Sequence, residues 1–136
     1  MTALLVGYRD LVAARGFLCD ALGFDEEWAL HDADGSLARS HVCLGDTVLM
    51  LDRPGAHGVL SPSRAGGVTH LVVITVDDVD AHHARAARSG ARIVTPPADR
   101  PWGRDYEVAD PEGYVFSFIS SSGQADSETQ RRSASR

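Results

Sequence analysis

Leu4-Leu5-Val6-Gly7-Tyr8-Arg9-Asp10-Leu11-Val12-Ala13 is echoed later in the chain by Val72-Val73-Ile74-Thr75-Val76-Asp77-Asp78-Val79-Asp80-Ala81. Each stretch is an apolar run that ends at an Asp and continues into a segment rich in Ala and Arg. An Asp at such a boundary accepts hydrogen bonds from the first free amides of a helix, and its charge suits the positive helix end. Both copies therefore read as a strand followed by an Asp-capped helix. The helices stop at Gly23 and Gly90, residues suited to the left-handed conformation that closes a helix. Each glycine is followed by strand-like sequence and a late turn, Leu44-Gly45-Asp46 in the first copy and Asp110-Pro111-Glu112-Gly113 in the second.

Within the first copy, Leu11, Ala14, Leu18 and Ala21-Leu22 follow helical spacing, although Gly16 interrupts it. Phe24, Glu26, Trp28 and Leu30 alternate with Asp25, Glu27 and Ala29, which predicts a half-buried strand with its aromatic residues on one face. Asp32-Ala33-Asp34-Gly35 is a hairpin turn signal leading to strands over Ala38–Leu44 and Thr47–Leu51. The second copy predicts a strand over Val68–Val76, a helix over Asp78–Ser89 and a strand over Ala91–Thr95. Pro96-Pro97 then opens an irregular stretch before a hairpin of Tyr106–Ala109 and Val115–Ile119. Both halves read β-α-β-β-β. The expected organisation is a first module over residues 1–53, a Gly- and Pro-rich linker over 54–67, a second module over 68–120 and a disordered tail over 121–136.

The bulk properties exclude several classes. A chain of 136 residues with 43% hydrophobic content suits one domain or two small modules. No apolar run approaches the roughly 20 residues that span a bilayer, and the start lacks a basic signal-peptide region. A cytoplasmic protein without membrane association is expected, with Cys19 and Cys43 as reduced structural thiols. Net charge is −6. Residues 121–136 hold two acids against three arginines, +1, so the remainder carries −7. That charge argues against nucleic-acid binding and is compatible with a cationic ligand.

A duplicated β-α-β-β-β unit resembles the glyoxalase, bleomycin-resistance and extradiol-dioxygenase superfamily, also called the vicinal oxygen chelate fold. The sharpest part of the resemblance is Pro101-Trp102-Gly103-Arg104-Asp105-Tyr106 with Asp110-Pro111-Glu112-Gly113-Tyr114-Val115-Phe116-Ser117-Phe118. It looks like the bleomycin-resistance-like branch. The resemblance implies an α+β fold of two βαβββ modules forming a curved mixed sheet around a cleft, and commonly a homodimer. Metal-dependent members place four ligands at positions that fall here on Ala3, Leu49, Leu71 and Ser117. Ala and Leu donate nothing to a divalent metal and Ser is a poor ligand, so no metal and no other cofactor is expected. His70 lies one residue from Leu71, on the opposite strand face, and His82-His83 reads as a solvated helix pair.

A metal-free cleft would be mostly apolar with a few orienting polar groups. Trp102, Arg104 and Tyr106 alternate onto one face if Trp102–Val108 is extended, and the resemblance puts the Trp near a ligand. Trp28 shares its predicted face with Phe24 and Leu30, which favours core packing over cleft lining. The expected ligand-binding set is therefore Trp102, Arg104, Tyr106, Trp28, Leu49 and Ser117. The leading reading is a protein that sequesters a small aromatic or cationic compound, such as a drug or natural product. The alternative is a lyase, isomerase or dioxygenase, with Tyr106, Glu107 or His41 in acid-base roles, because one fold hosts many functions.

Overall fold

The computed structural model describes residues 1–120; the expected disordered tail lies outside the described residues. The element order is β1 (Ala3–Gly7), α1 (Leu11–Asp20), β2 (Asp25–His31), β3 (Leu37–Leu44), β4 (Thr47–Asp52), a 3-10 turn (Ala56–Gly58), α2 (Pro62–Ala65), β5 (Val72–Val76), α3 (Val79–Arg88), β6 (Arg92–Arg100), β7 (Gly103–Ala109) and β8 (Val115–Ser120). The fold is α+β and consists of two βαβββ modules, each a four-stranded mixed sheet with one principal helix.

The two helix starts are built alike. Asp10 and Asp78 each sit in extended backbone and accept a hydrogen bond from the amide three residues on, Ala13 and Ala81, both at 3.0 Å. Gly23 and Gly90 follow the helices with φ of 81° and 79°, a conformation that costs a residue with a Cβ. The strand orders also match: β1-β4-β3-β2 in one sheet and β5-β8-β7-β6 in the other. In each, the first strand pairs parallel with the last, because the intervening helix carries the chain over the sheet.

The chain divides into two compact units. The first comprises Met1–Thr69 together with Asp110–Tyr114, and the second His70–Ala109 together with β8. In the first unit, directly paired residues share a face of the sheet. Val6, Leu51 and Ser40 form one such row, and Leu4, Leu49 and Val42 another. This face lies under α1, whose Leu11, Ala14 and Leu18 are buried against it. The opposite, helix-free face carries Ala3, Val48 and Cys43 in one row and Leu5, Met50 and His41 in the next. Residues 54–67, expected as a linker, hold the 3-10 turn and α2, and pack within this unit: the Ser63 amide donates to the Glu112 carbonyl and the Tyr114 hydroxyl to the Leu60 carbonyl.

In the second unit, Ile74, Phe118 and Tyr106 form a row facing α3, and Val72, Phe116 and Val108 another. Val73, Ser117 and Glu107 lie on the helix-free face, as do Thr75, Ile119 and Asp105. β6 departs from expectation. It runs straight through Pro96-Pro97 to Arg100 instead of turning irregular after Thr95. The reason is position: β6 is the outer strand of its sheet, where a proline forfeits no ladder bond, and the register shifts between Thr95 and Ala98 absorb the misfit. β5 is shorter than expected and starts at Val72 rather than Val68.

Candidate functional site

The helix-free face of each sheet is where the modules leave side chains uncommitted to their helix. In the first unit, Trp28 is 45% exposed and does not pack with Phe24 as alternation predicts. β2 changes register between Glu26, paired with Val42, and Trp28, paired with His41. This irregularity puts Glu26 on the helix side, where it takes hydrogen bonds from Arg15 at 3.0 Å and from the Ser40 hydroxyl at 2.7 Å. The Ser40 hydroxyl, followed by Arg15, holds the Glu26 carboxyl below the usual range, against the opposing effect of burial. Trp28 is thereby turned to the helix-free face. Its ring lies 4.7 Å from that of His41, tilted by 47°. The His41 Nε2 is buried and makes no hydrogen bond among the described residues, which is unusual for a ring nitrogen in a folded protein. Arg39 and Asp52 complete this face, with Arg39 Nε 3.0 Å from the Asp52 carboxylate.

In the second unit, Trp102, Arg104 and Tyr106 do not form a strip. β7 begins at Gly103, so Trp102 precedes the extended segment and the expected alternation does not reach it. Its indole Nε1 donates to Asp105 at 2.9 Å, and the ring is 55% exposed. Arg100 reaches the same carboxylate at 3.4 Å. Asp105 belongs to the helix-free face. Arg104 points the other way and binds Asp80 of α3 through two nitrogens at 2.9 and 3.0 Å, and Asp99 at 3.1 Å. Those carboxylates push its guanidinium pKa up. Tyr106 is fully buried beneath α3, with its hydroxyl 2.5 Å from His82 Nδ1 and its ring stacked on Phe118. Burial pushes the phenol pKa up, so it stays protonated. Arg104 and Tyr106 thus fasten α3 to the sheet rather than line a helix-free surface.

Leu49 is fully buried on the face under α1 and is a core residue. Counting from the turn glycine misplaces it by one residue relative to Ala3, and one residue is enough to reverse a strand's faces. The β4 neighbours of Leu49 that do share Ala3's face, Val48 and Met50, supply no hard donor either, and the donor types on that face, His41, Cys43 and Asp52, form no metal-ligating group. Ser117 lies on the helix-free face beside Val73 and Glu107 and is nearly buried. No group of three or more His, Cys, Asp or Glu among the described residues converges as a metal site. The donor set does not fit the metal of the superfamily's chelating members.

Sequence reasoning also passed over the most heavily bonded polar cluster, in the first unit. The buried Asp110 carboxylate accepts from the Tyr8 hydroxyl at 2.5 Å and from the amides of Glu112 and Tyr114 at 3.0 Å each. Glu112 in turn accepts from the amides of Arg9 at 2.6 Å and Asp10 at 3.0 Å. The Tyr114 hydroxyl closes onto Gly7, taking its amide at 3.1 Å and donating to its carbonyl at 3.2 Å. Desolvation pushes Asp110 up to about 6, with hydrogen bonds from Tyr8 and the two amides opposing it. This network is structural, and the Asp-Pro-Glu-Gly turn carried its only sequence signal.

The comparisons with known proteins agree with this architecture. An uncharacterised protein of Mycobacterium tuberculosis is 34% identical over 114 residues, spanning 80% of this chain and 67% of its own. The crystal structure of TioX from Micromonospora sp. ML1 superposes with a TM-score of 0.73 at 31% identity, covering 88% of this chain and 98% of that one. TnmS3, an antibiotic-binding protein from Streptomyces sp. CB03234, gives 0.68 at 25% identity over 88% and 95% of the two chains. The bleomycin-binding protein of Streptomyces verticillus, complexed with copper(II)-bleomycin, gives 0.63 at 26% identity over 88% and 93%. The model of the glyoxalase/bleomycin resistance protein/dioxygenase superfamily matches residues 2–118, and the chain belongs to that superfamily.

Proposed function

We propose that this chain is a metal-free small-molecule binding protein that sequesters a planar aromatic compound carrying positive charge, in the manner of a drug- or natural-product-binding protein. The observation that carries this reading is the pair of half-exposed tryptophans, each held on a helix-free side of its own sheet by a specific partner. Trp28 rests on His41, and Trp102 is oriented by Asp105. A fixed, exposed indole offers a stacking plane at little entropic cost, and cations favour such a face. Asp105 and Glu107 place carboxylates on the same side of the second unit, matching the net charge of −6. The similarity to TnmS3 and to the bleomycin-binding protein supports the same class. Among the expected residues, Trp28, Trp102 and Ser117 remain in the proposed ligand set; Leu49, Arg104 and Tyr106 have other duties. Tyr106 is fully buried under α3, which weakens it as an acid-base candidate, while Glu107 lies on the helix-free face.

Titration of tryptophan fluorescence with bleomycin and a panel of aromatic cations tests the proposal. Quenching that saturates, survives EDTA and weakens about fivefold in Trp28→Ala or in Trp102→Ala is expected, since loss of a stacked aromatic costs about 1 kcal/mol. The melting temperature of Trp102→Ala should change little, because the ring is mostly in solvent. Binding that needs added metal, or that ignores both tryptophans, would overturn the reading.

A homodimer is also proposed. Leu71 and Val73 of the second unit are 44% and 59% exposed, and apolar side chains of that size gain by being covered. Light scattering at micromolar concentration should give twice the 14.5 kDa chain mass; a monomer would refute it.

A further inference from the structure

The first unit has a groove of about 1040 Å³ on its α1 side, away from Trp28. It runs between the start of α1 and the β2–β3 hairpin, and its walls include Arg9, Val12, Arg15, His31, Leu37 and Arg53. Three arginines and a histidine in one concavity are unexpected in a chain of net charge −6. Two of the arginines are already engaged. Arg15 pairs with Glu26 at 3.0 Å, and Arg53 pairs with Asp32. Asp10, the one acid in the wall, caps α1 through one carboxylate oxygen and keeps its negative charge. The Arg9 guanidinium has no carboxylate partner among the described residues. Its backbone is nevertheless fixed, because Glu112 takes its amide at 2.6 Å. Arg9 also borders a second recess of about 210 Å³, which it shares with Asp10, Ala13, Ala14, Pro111 and Glu112.

We propose that this groove is a binding site for a small organic monoanion, a carboxylate or sulfonate attached to an apolar body. The Arg9 guanidinium decides the class, and the Asp10 and Glu112 carboxylates beside it limit the negative charge the site can accept. One free guanidinium forms a bidentate pair with one oxyanion, whereas a polyphosphate or nucleic acid would need several. The paired arginines lend the wall polarity without net charge. Val12, which is 57% exposed, and Leu37 receive the apolar body. The site is separate from the helix-free faces and does not depend on the function proposed for them.

The test uses 8-anilinonaphthalene-1-sulfonate and its uncharged analogue N-phenyl-1-naphthylamine on the full chain. The sulfonate should bind one per chain and about tenfold more tightly than the analogue, as expected for a charge-assisted pair. That advantage should shrink as salt is raised. Arg9→Gln, which removes no ion pair among the described residues, should abolish the advantage and leave the analogue's affinity unchanged. Amide chemical shifts should move at residues 9–12, 36–37 and 53. Trp28→Ala should have no effect. Equal affinity for the two dyes, sulfonate binding unaffected by Arg9→Gln, or shifts confined to other regions would each overturn the proposal.

Discussion

Asp110→Ala is expected to destabilise the protein by about 3 kcal/mol or more, measured as the shift in a urea or thermal transition. The substitution removes one carboxylate that satisfies three donors: the Tyr8 hydroxyl and the amides of Glu112 and Tyr114. Each buried donor left unsatisfied costs about 1–3 kcal/mol. The costs will not simply add, because all three bond to one group. A loss under 1 kcal/mol would show that water takes the place of the carboxylate. The same residue has a distinctive pH signature. Its folded-state pKa is raised to about 6, above the unfolded value of roughly 3.9. A carboxyl raised in this way weakens the fold when ionised, so stability is recovered as pH falls through 6 toward 4. From pH 8 to pH 5 the gain is about 1.4 kcal/mol. Asp110→Asn cannot titrate, so the wild-type protein should gain that amount relative to this variant over the interval. The comparison with the variant isolates the effect, because Glu26, held low by Ser40, and Asp80, held low by Arg104, have the opposite slope. A gap between the two proteins that is flat with pH would mean that Asp110 is ionised throughout.

Leu49→Ala is expected to cost about 3 kcal/mol of stability, within the range for a Leu truncated in a closed core. It should leave the affinity of any ligand bound through Trp28 or Trp102 unaltered in the folded fraction. Leu49 is fully buried between Val42 and Leu4 under α1. A near-neutral effect on melting, with a clear loss of ligand, would return Leu49 to the binding set.

The fold was legible wherever a local rule sufficed. Asp10 and Asp78 cap their helices and Gly23 and Gly90 close them, because those residue types solve a problem posed by the nearest few amides and carbonyls. The site was less legible, because it depends on which face a side chain takes. Alternation assigns faces only while the register is unbroken. The irregularity between Glu26 and Trp28 inverts that assignment, and nothing in the residue types around it signals the break. At Trp102 the strand begins one residue later than supposed, so the indole meets Asp105 instead of Arg104's side of β7. Arg104 and Tyr106 were correctly grouped on one face, but which face carries the helix is decided by the packing of α3, through Asp80 and His82. Pro96-Pro97 misled for a similar reason: a proline stops a central strand but is tolerated at the rim, and strand order is a long-range property.

The strand order also bears on how the chain resists sticking to copies of itself. Each sheet has two rims with free backbone groups that can template further strands. β2 guards its rim with Asp25, Glu26 and Glu27, and β6 guards its own with two prolines that donate nothing. β1 is closed only at Gly7, whose amide and carbonyl meet the Tyr114 hydroxyl, and β5 has no such protection. Their sequences, Ala-Leu-Leu-Val-Gly and Val-Val-Ile-Thr-Val, are uncharged, and the second is rich in residues that favour cross-β stacking. Solubility in this protein is therefore asymmetric. A lysine at Val73 on the β5 rim would act as a gatekeeper, whereas added charge on β2 or β6 would reinforce rims already closed to aggregation.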